Sequence, residues 1–201
     1  MARPTSITDE QILEAARAVF LEKGIQATTA EVARRAGVAE GSIFNRFKTK
    51  QALFQCCMAT NFDDIEWLKI LRESTGKGDV EQALTRTGLA MMDFFRTLLP
   101  IMMMSWSNTA AGELPPHLSG DNPPPVRALR EVAAYFEAAI AAGHLPKEHK
   151  PEIMARMFMG SIHFYCFTQF FLKNSASLST EEFVHGIVKL IASGAKRSPK
   201  E

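Results

Sequence analysis

The chain has 201 residues, 46% hydrophobic and 22% charged, with a formal net charge of +1 at pH 7. That length allows one large domain, or a small domain joined to a medium one, either of which can bury a core. The even charge balance excludes a chain-wide basic surface, so any affinity for nucleic acid must come from a local patch.

Helical periodicity dominates and no alternating strand pattern stands out, so the expected fold is all-α with about nine helices. Thr8, three residues before Gln11, forms a capping box, with Ile7 and Ile12 placed for a hydrophobic staple. Ile12, Leu13, Ala16, Val19 and Phe20 then line one face until Lys23 and Gly24 close the helix. Thr28 and Glu31 repeat the capping box and open a short helix that stops at Gly37. A third short helix, 39–47, follows after a tight turn. Thr49 is placed to cap a long helix through Leu53, Cys57, Ile65 and Leu68 that ends in the loop 75–78.

Val80, Leu84, Thr87, Met91, Phe94, Phe95 and Leu98 give an amphipathic helix that Pro100 should break or kink, with a new helix beginning over 102–106. The proline-rich stretch 113–125 reads as a loop, and Val126, Leu129, Ala133, Phe136 and Ile140 as the next helix, up to Gly143. Two helices close the chain, 152–173 and 180–195. The second is announced by a capping box of Ser179 and Glu182 and a staple of Leu178 and Phe183. The helix 152–173 is apolar almost all round and needs cover on every face, which a partner subunit would supply. At roughly 24 Å, its apolar run 157–172 is too short for a ~30 Å hydrocarbon core, so no membrane span is expected.

The informative stretch is 28–54, TTAEVARRAGVAEGSIFNRFKTKQALF. Two short helices joined by a glycine-containing turn make a helix-turn-helix, about 28–47, whose second helix can enter a major groove. Ala33 is small where the helices cross, Gly37 suits the left-handed turn, and Val38, Ile43 and Phe47 can plug the core between them. Arg34, Arg35, Arg46, Lys48 and Lys50 outnumber Glu31 and Glu40, an excess suited to phosphates. Arg34 and Arg35 equally suit a solvated helix face, and Lys48, just before a helix start, is the better phosphate candidate. Ala39, Glu40, Ser42 and Asn45 are placed to read bases. Asn45 suits adenine and Glu40 a cytosine amine, while Gly41 permits close backbone approach.

Ala27-Thr28-Thr29, Ala33, Ala36-Gly37-Val38, Gly41-Ser42-Ile43-Phe44, Phe47-Lys48 and Lys50 resemble the DNA-binding signature of the TetR family of one-component transcriptional regulators. The resemblance covers roughly residues 7–55; the remainder is similar to the family in size and helix plan. It implies that Thr28 or Thr29, together with Ser42, Phe44, Asn45 and Lys48, faces DNA and that Phe47 lies in the core. Where the family usually carries tyrosine this chain has Phe44, which can pack but cannot donate a hydrogen bond to a phosphate. It also implies a DNA-binding domain, 1–50, followed by a ligand-binding and dimerising body, 51–201.

The chain's ten methionines and fourteen phenylalanines serve mainly as core, but adaptable methionine-rich surfaces also suit apolar ligands. Candidate ligand contacts are Met91, Phe95, Met103, Trp106, Phe136, His163 and Phe167. The five histidines show no metal-ligand spacing, and adjacent Cys56 and Cys57 diverge by about 100° around a helix, so neither a metal nor a cofactor is expected. Three cysteines make no disulfide framework and fit a reducing compartment; with no apolar leader at the N-terminus, a cytoplasmic protein is expected. No nucleophile, P-loop or zincin motif is present, which argues against an enzyme.

The expected protein is a homodimer, joined through 152–173 and 180–195, that represses from a palindromic double-stranded DNA operator and is released by a small apolar effector. The helix from Thr49 would carry the ligand's signal. A small-molecule binding protein without DNA affinity would keep the apolar pocket but lose the salt-sensitive duplex binding.

Overall fold

A computed structural model describes residues 7–58, 62–107, 118, 121–172 and 178–193. Among these residues the chain is all-α, with nine helices and no strand. In order they are α1 (Asp9–Lys23), α2 (Thr29–Ala36), α3 (Glu40–Phe47), α4 (Lys50–Met58), α5 (Glu66–Ser74), α6 (Val80–Ser107), α7 (Pro124–Ala141), α8 (Pro151–Leu172) and α9 (Thr180–Ser193). Short 3₁₀ turns occupy Gly24–Gln26 and Phe62–Asp64.

The chain divides into two compact units, one of residues 1–60 and 100–115, the other of 61–99 and 116–201. The expected boundary at residue 50 therefore moves. Helix α4 belongs to the first unit, as does α6 from Pro100 onward.

In the first unit Ile12, Ala16, Val19 and Phe20 of α1 meet Val32 and Ala33 of α2, Ile43 of α3, and Leu53, Phe54 and Cys57 of α4 in one core. Phe20 and Phe54 pack edge to face, with centroids 5.1 Å apart at 81°, an arrangement that aromatic quadrupoles favour. Burial pushes the Cys57 thiol up to about 12, so it is an inert packing group whose Sγ–H donates to the Phe54 carbonyl. In the second unit Trp67, Leu68 and Leu71 of α5, Leu84, Met91 and Met92 of α6, Val132 and Phe136 of α7, Phe158 and Ile162 of α8, and Val184 and Val188 of α9 share a second core. Gly88 of α6 is enclosed there: a Cβ on it would stand 2.8 Å from Val184 Cγ1 and 3.4 Å from Ile162 Cδ1 and Phe158 Cζ.

Three expectations are corrected. The long helix from Thr49 is broken: α4 ends at Met58, and α5 starts afresh at Glu66 after the Phe62–Asp64 turn and an extended Ile65. In sequence the interruption carries Asn61, Asp63 and Asp64, residue types that compete for backbone hydrogen bonds and favour turns over helix interiors. Pro100, conversely, does not end its helix. It lies inside α6, which runs unbroken from Val80 to Ser107 and takes in the separate helix expected over 102–106. Leu99 and Ile101 on either side of it are buried, each in a core, and that packing opposes the lost hydrogen bond, worth about 3 kcal/mol with its steric clash. The expected loop 113–125 falls mostly outside the described residues, but its end is helical. Pro123 is the N-cap of α7 and Pro124 and Pro125 stand in its first turn, where a missing N–H costs nothing.

Candidate nucleic-acid interface

Helix α2 starts where Thr28, extended at φ −114° and ψ 154°, accepts from the Glu31 amide while Glu31 accepts from the Thr28 amide. Glu31 Oε1 also meets Lys23 Nζ at 2.5 Å. The lysine bond first, and the backbone amide after it, draw the Glu31 carboxyl down to about 2. The helix ends in a Schellman motif: Gly37 sits at φ 69° and ψ 31°, its N–H meets the Arg34 carbonyl, and the Val38 N–H meets the Ala33 carbonyl at 3.0 Å. The three residues Gly37, Val38 and Ala39 separate α2 from α3. That spacing and the left-handed glycine turn the chain so that α3 packs against α2, with Ala33 buried in the shared core.

Helix α3 faces two ways. Ile43 is 1% exposed, and Val38 and Phe47 are half-buried against the same core. Glu40, Gly41, Phe44 and Asn45 are exposed, Ser42 is half-buried, and nothing approaches within 4 Å of where a Gly41 Cβ would stand. The candidate base-reading residues Ala39, Glu40, Ser42 and Asn45 are thus gathered on one short helix and its N-cap. Phe44, 45% exposed, extends the same surface with an apolar ring.

The flanks divide the basic residues. Arg46 turns back onto α1, its Nη1 donating to the Ile7 carbonyl at 3.0 Å and to Asp9 Oδ1 at 2.8 Å. Arg35 pairs with Glu22 of α1 at 2.7 Å, so this candidate contact already has a carboxylate partner. Lys48 is exposed and bends its Nζ to the Asn45 carbonyl at 2.8 Å. Its backbone is unusual: φ is 65° and ψ is −46°, and the Thr49 N–H meets the Phe47 carbonyl at 2.7 Å. This is a γ-turn centred on a non-glycine residue at positive φ, a strained geometry that lets α4 begin immediately, with Thr49 Oγ1 accepting from the Ala52 amide. No sequence signal marks it, because lysine is not a residue that favours that region. Thr28 is exposed but occupied as a cap, while Thr29 is 8% exposed and donates from Oγ1 to Glu40 Oε1 at 2.6 Å. Thr29 therefore faces α3 rather than open solvent. Lys50 is exposed in the first turn of α4.

The candidate ligand residues are distributed unevenly. Met91 and Phe136 are fully buried and Phe95 is 9% exposed, all within the second unit's core. His163 is half-buried there, edge-on to Phe95 at 5.1 Å and tilted toward Phe167 at 6.4 Å, and burial lowers its pKa below the ordinary histidine value. Met103 and Trp106 belong to the first unit. Among the described residues no three His, Cys, Asp or Glu side chains are grouped to hold a metal, and no helix is long and apolar enough to cross a membrane.

A capped helix, a left-handed glycine turn and a second helix with one free face define a helix-turn-helix of the DNA-reading class. Residues 12–57 match the family described as "Bacterial regulatory proteins, tetR family". Over 104 residues the chain is 30% identical to the HTH-type transcriptional regulator YvkB of Bacillus subtilis, itself uncharacterized; the match covers 51% of this chain. The chain spans about half the length of that curated relative, 53%.

Among solved structures, the fold is similar to a Mesorhizobium loti protein assigned to the TetR-family regulators (TM-score 0.72, 17% identity, covering 92% of this chain and 95% of that one). A transcriptional regulator from Rhodococcus sp. is similar at TM-score 0.66 and 20% identity, covering 96% and 100%. SmeT, the repressor of the Stenotrophomonas maltophilia multidrug efflux pump SmeDEF, is similar at TM-score 0.62 and 19% identity, covering 96% and 92%. The match over residues 12–57 and these similar folds support a regulator of the TetR family.

Proposed function

We propose that the protein is a sequence-specific DNA-binding transcriptional regulator, a homodimeric repressor released from a palindromic operator by a small, largely apolar effector, acting in the cytoplasm. The observation that carries this reading is α3, which anchors one face through Ile43 and leaves Glu40, Gly41, Phe44 and Asn45 exposed beside the lysines at 48 and 50. Asn45 can pair bidentately with adenine, and Lys48 and Lys50 can meet phosphates, with Arg35 joining them on exchange of its exposed Glu22 pairing. Thr28, Ala39, Ser42 and Phe44 complete the contact surface, Phe44 by apolar contact with a thymine methyl or a sugar.

Dimerisation is supported by the outer surface of α8. Ile153, Met157, Gly160 and Phe164 are exposed at spacings of four, three and four residues, the seam of a packed helix pair, and Ile153, Met157 and Phe164 are 54%, 58% and 64% exposed. On α9, Gly186 and the 73% exposed Leu190 present a small and an apolar residue one turn apart. Together the two helices offer the surface for a four-helix interface.

The effector reading draws on the methionine and aromatic content around Met91, Phe95, Phe136, His163 and Phe167. The similarly folded SmeT is the repressor of a multidrug efflux pump. A helix running unbroken from Thr49 has no part in the switch, since α4 and α5 are separate.

Selection from random duplex DNA with the purified chain, at about 50 mM salt, tests the reading. An enriched inverted repeat, bound with an affinity that falls steeply with salt, is expected. Failure to enrich any duplex would refute DNA binding, and a monomer by light scattering at micromolar concentration would refute the dimer.

A further inference from the structure

Glu40 is the only carboxylate on α3, and it stands at the leading end of the proposed reading helix between two residues with almost no side chain, Ala39 and Gly41. An acid at that point faces a polyanion and is tolerated only where it meets a donor. In the major groove the donors are the exocyclic amines of cytosine and adenine. Adenine presents its N7 acceptor beside the amine, which repels a carboxylate, whereas cytosine presents the amine alone.

A glutamate free to rotate would swing away from the groove and discriminate little. Glu40 is not free. The hydroxyl of Thr29, itself 8% exposed and fixed as the first residue of α2, donates to Glu40 Oε1 at 2.6 Å across the helix-turn-helix. That bond occupies one acceptor site of a carboxylate that has about four.

We infer that Thr29 is a positioning residue that holds Glu40 as the reader of a cytosine amine, so that the pair sets one base of each operator half-site. This inference rests on the DNA-binding reading above. Thr29 touches no base; it acts by restricting the Glu40 rotamers, and its hydroxyl rather than its bulk is what matters. The pairing links the first turns of α2 and α3, so any shift between those two helices would be felt as altered base preference.

The test is random-duplex selection with the full chain, comparing wild type, Glu40→Gln, Thr29→Val and Thr29→Ser. Wild type should enrich an inverted repeat with a cytosine column in each half-site. Glu40→Gln should erase or change that column alone, a loss of preference of about tenfold or more. Thr29→Val keeps the shape of threonine and should lower the cytosine preference by about three- to tenfold, with unchanged thermal midpoint and salt slope, while Thr29→Ser restores it. An A·T pair rather than a C·G pair at the Glu40-dependent column overturns the inference, as does a motif indifferent to both residues. Equal preference in the valine and wild-type proteins removes Thr29 from it. If wild type enriches nothing, the DNA-binding reading falls, and this inference with it.

Discussion

Replacing Lys48 separates the backbone role of that residue from its side-chain role. At φ 65° and ψ −46° a residue bearing a Cβ carries a steric cost of about 1–2 kcal/mol that glycine avoids. Glycine also gives the unfolded chain more freedom, a cost of about 0.5–1 kcal/mol. Both Lys48→Gly and Lys48→Ala lose the exposed bond from Nζ to the Asn45 carbonyl, worth about 0.5–1 kcal/mol. The glycine variant should therefore be near wild type in stability and about 1 kcal/mol more stable than the alanine variant. Inside an ordinary helix the order is reversed, with glycine about 1 kcal/mol worse. Thermal unfolding at fixed protomer concentration resolves this, since 1 kcal/mol moves the midpoint by about 2–4 °C in a chain of this size. Both variants should also weaken binding to an enriched duplex across all sequences and flatten the salt slope by about 1 for each phosphate that the lysine no longer meets. An alanine variant as stable as the glycine variant would refute the strain argument, and an unchanged salt slope would show that Lys48 meets no phosphate.

Gly88→Ala should destabilise by about 1 kcal/mol: helix propensity gains about 1, but a methyl 2.8 Å from the stiff Val184 overpacks the core by about 1–3. A double-mutant cycle with Val184→Ala should show favourable coupling, and additive losses would refute the clash. Glu31 is held near 2 against an ordinary value of 4.5, so its contribution is fully present above pH 4.5 and is lost as the pH falls through about 2. The urea midpoint of wild type should approach that of Glu31→Gln across that window, and parallel curves would contradict the assignment. Thr87 is fully buried and its hydroxyl has no hydrogen-bond partner among the described residues. Thr87→Val should stabilise by about 1 kcal/mol, and a lower urea midpoint would show that the hydroxyl is satisfied after all.

What could be read from sequence was whatever one turn of chain determines. The capping boxes at Thr8, Thr28 and Ser179 all form, because each needs only residues three apart. The Gly37 turn and the buried Ile43 follow equally from local pattern. Structure departs from local pattern where packing overrules local preference. Pro100 lies between two anchored residues and its helix survives, while the apolar positions of Cys57 and Ile65 are in register for one helix although the polar residues between them favour a turn. Periodicity reports which face is apolar, but it does not report whether the backbone is continuous.

The basic patch shows the same limit in a form that bears on function. Counting Arg34, Arg35, Arg46, Lys48 and Lys50 treats every cation as available to phosphate. The partners of two of them, Glu22 and Asp9, lie on α1, 13 and 37 residues away along the chain, and no local pattern reveals those ties. Arg46 bonds both a carboxylate and a backbone carbonyl and so serves to hold α3 against α1. If both arginines keep these bonds on DNA, this stretch offers at most three phosphate cations per protomer. For the proposed dimer its share of the salt slope is then about −5 rather than about −9. A shallow slope with sharp base preference would therefore mean that affinity rests on the free face of α3, while the arginines chiefly set its angle.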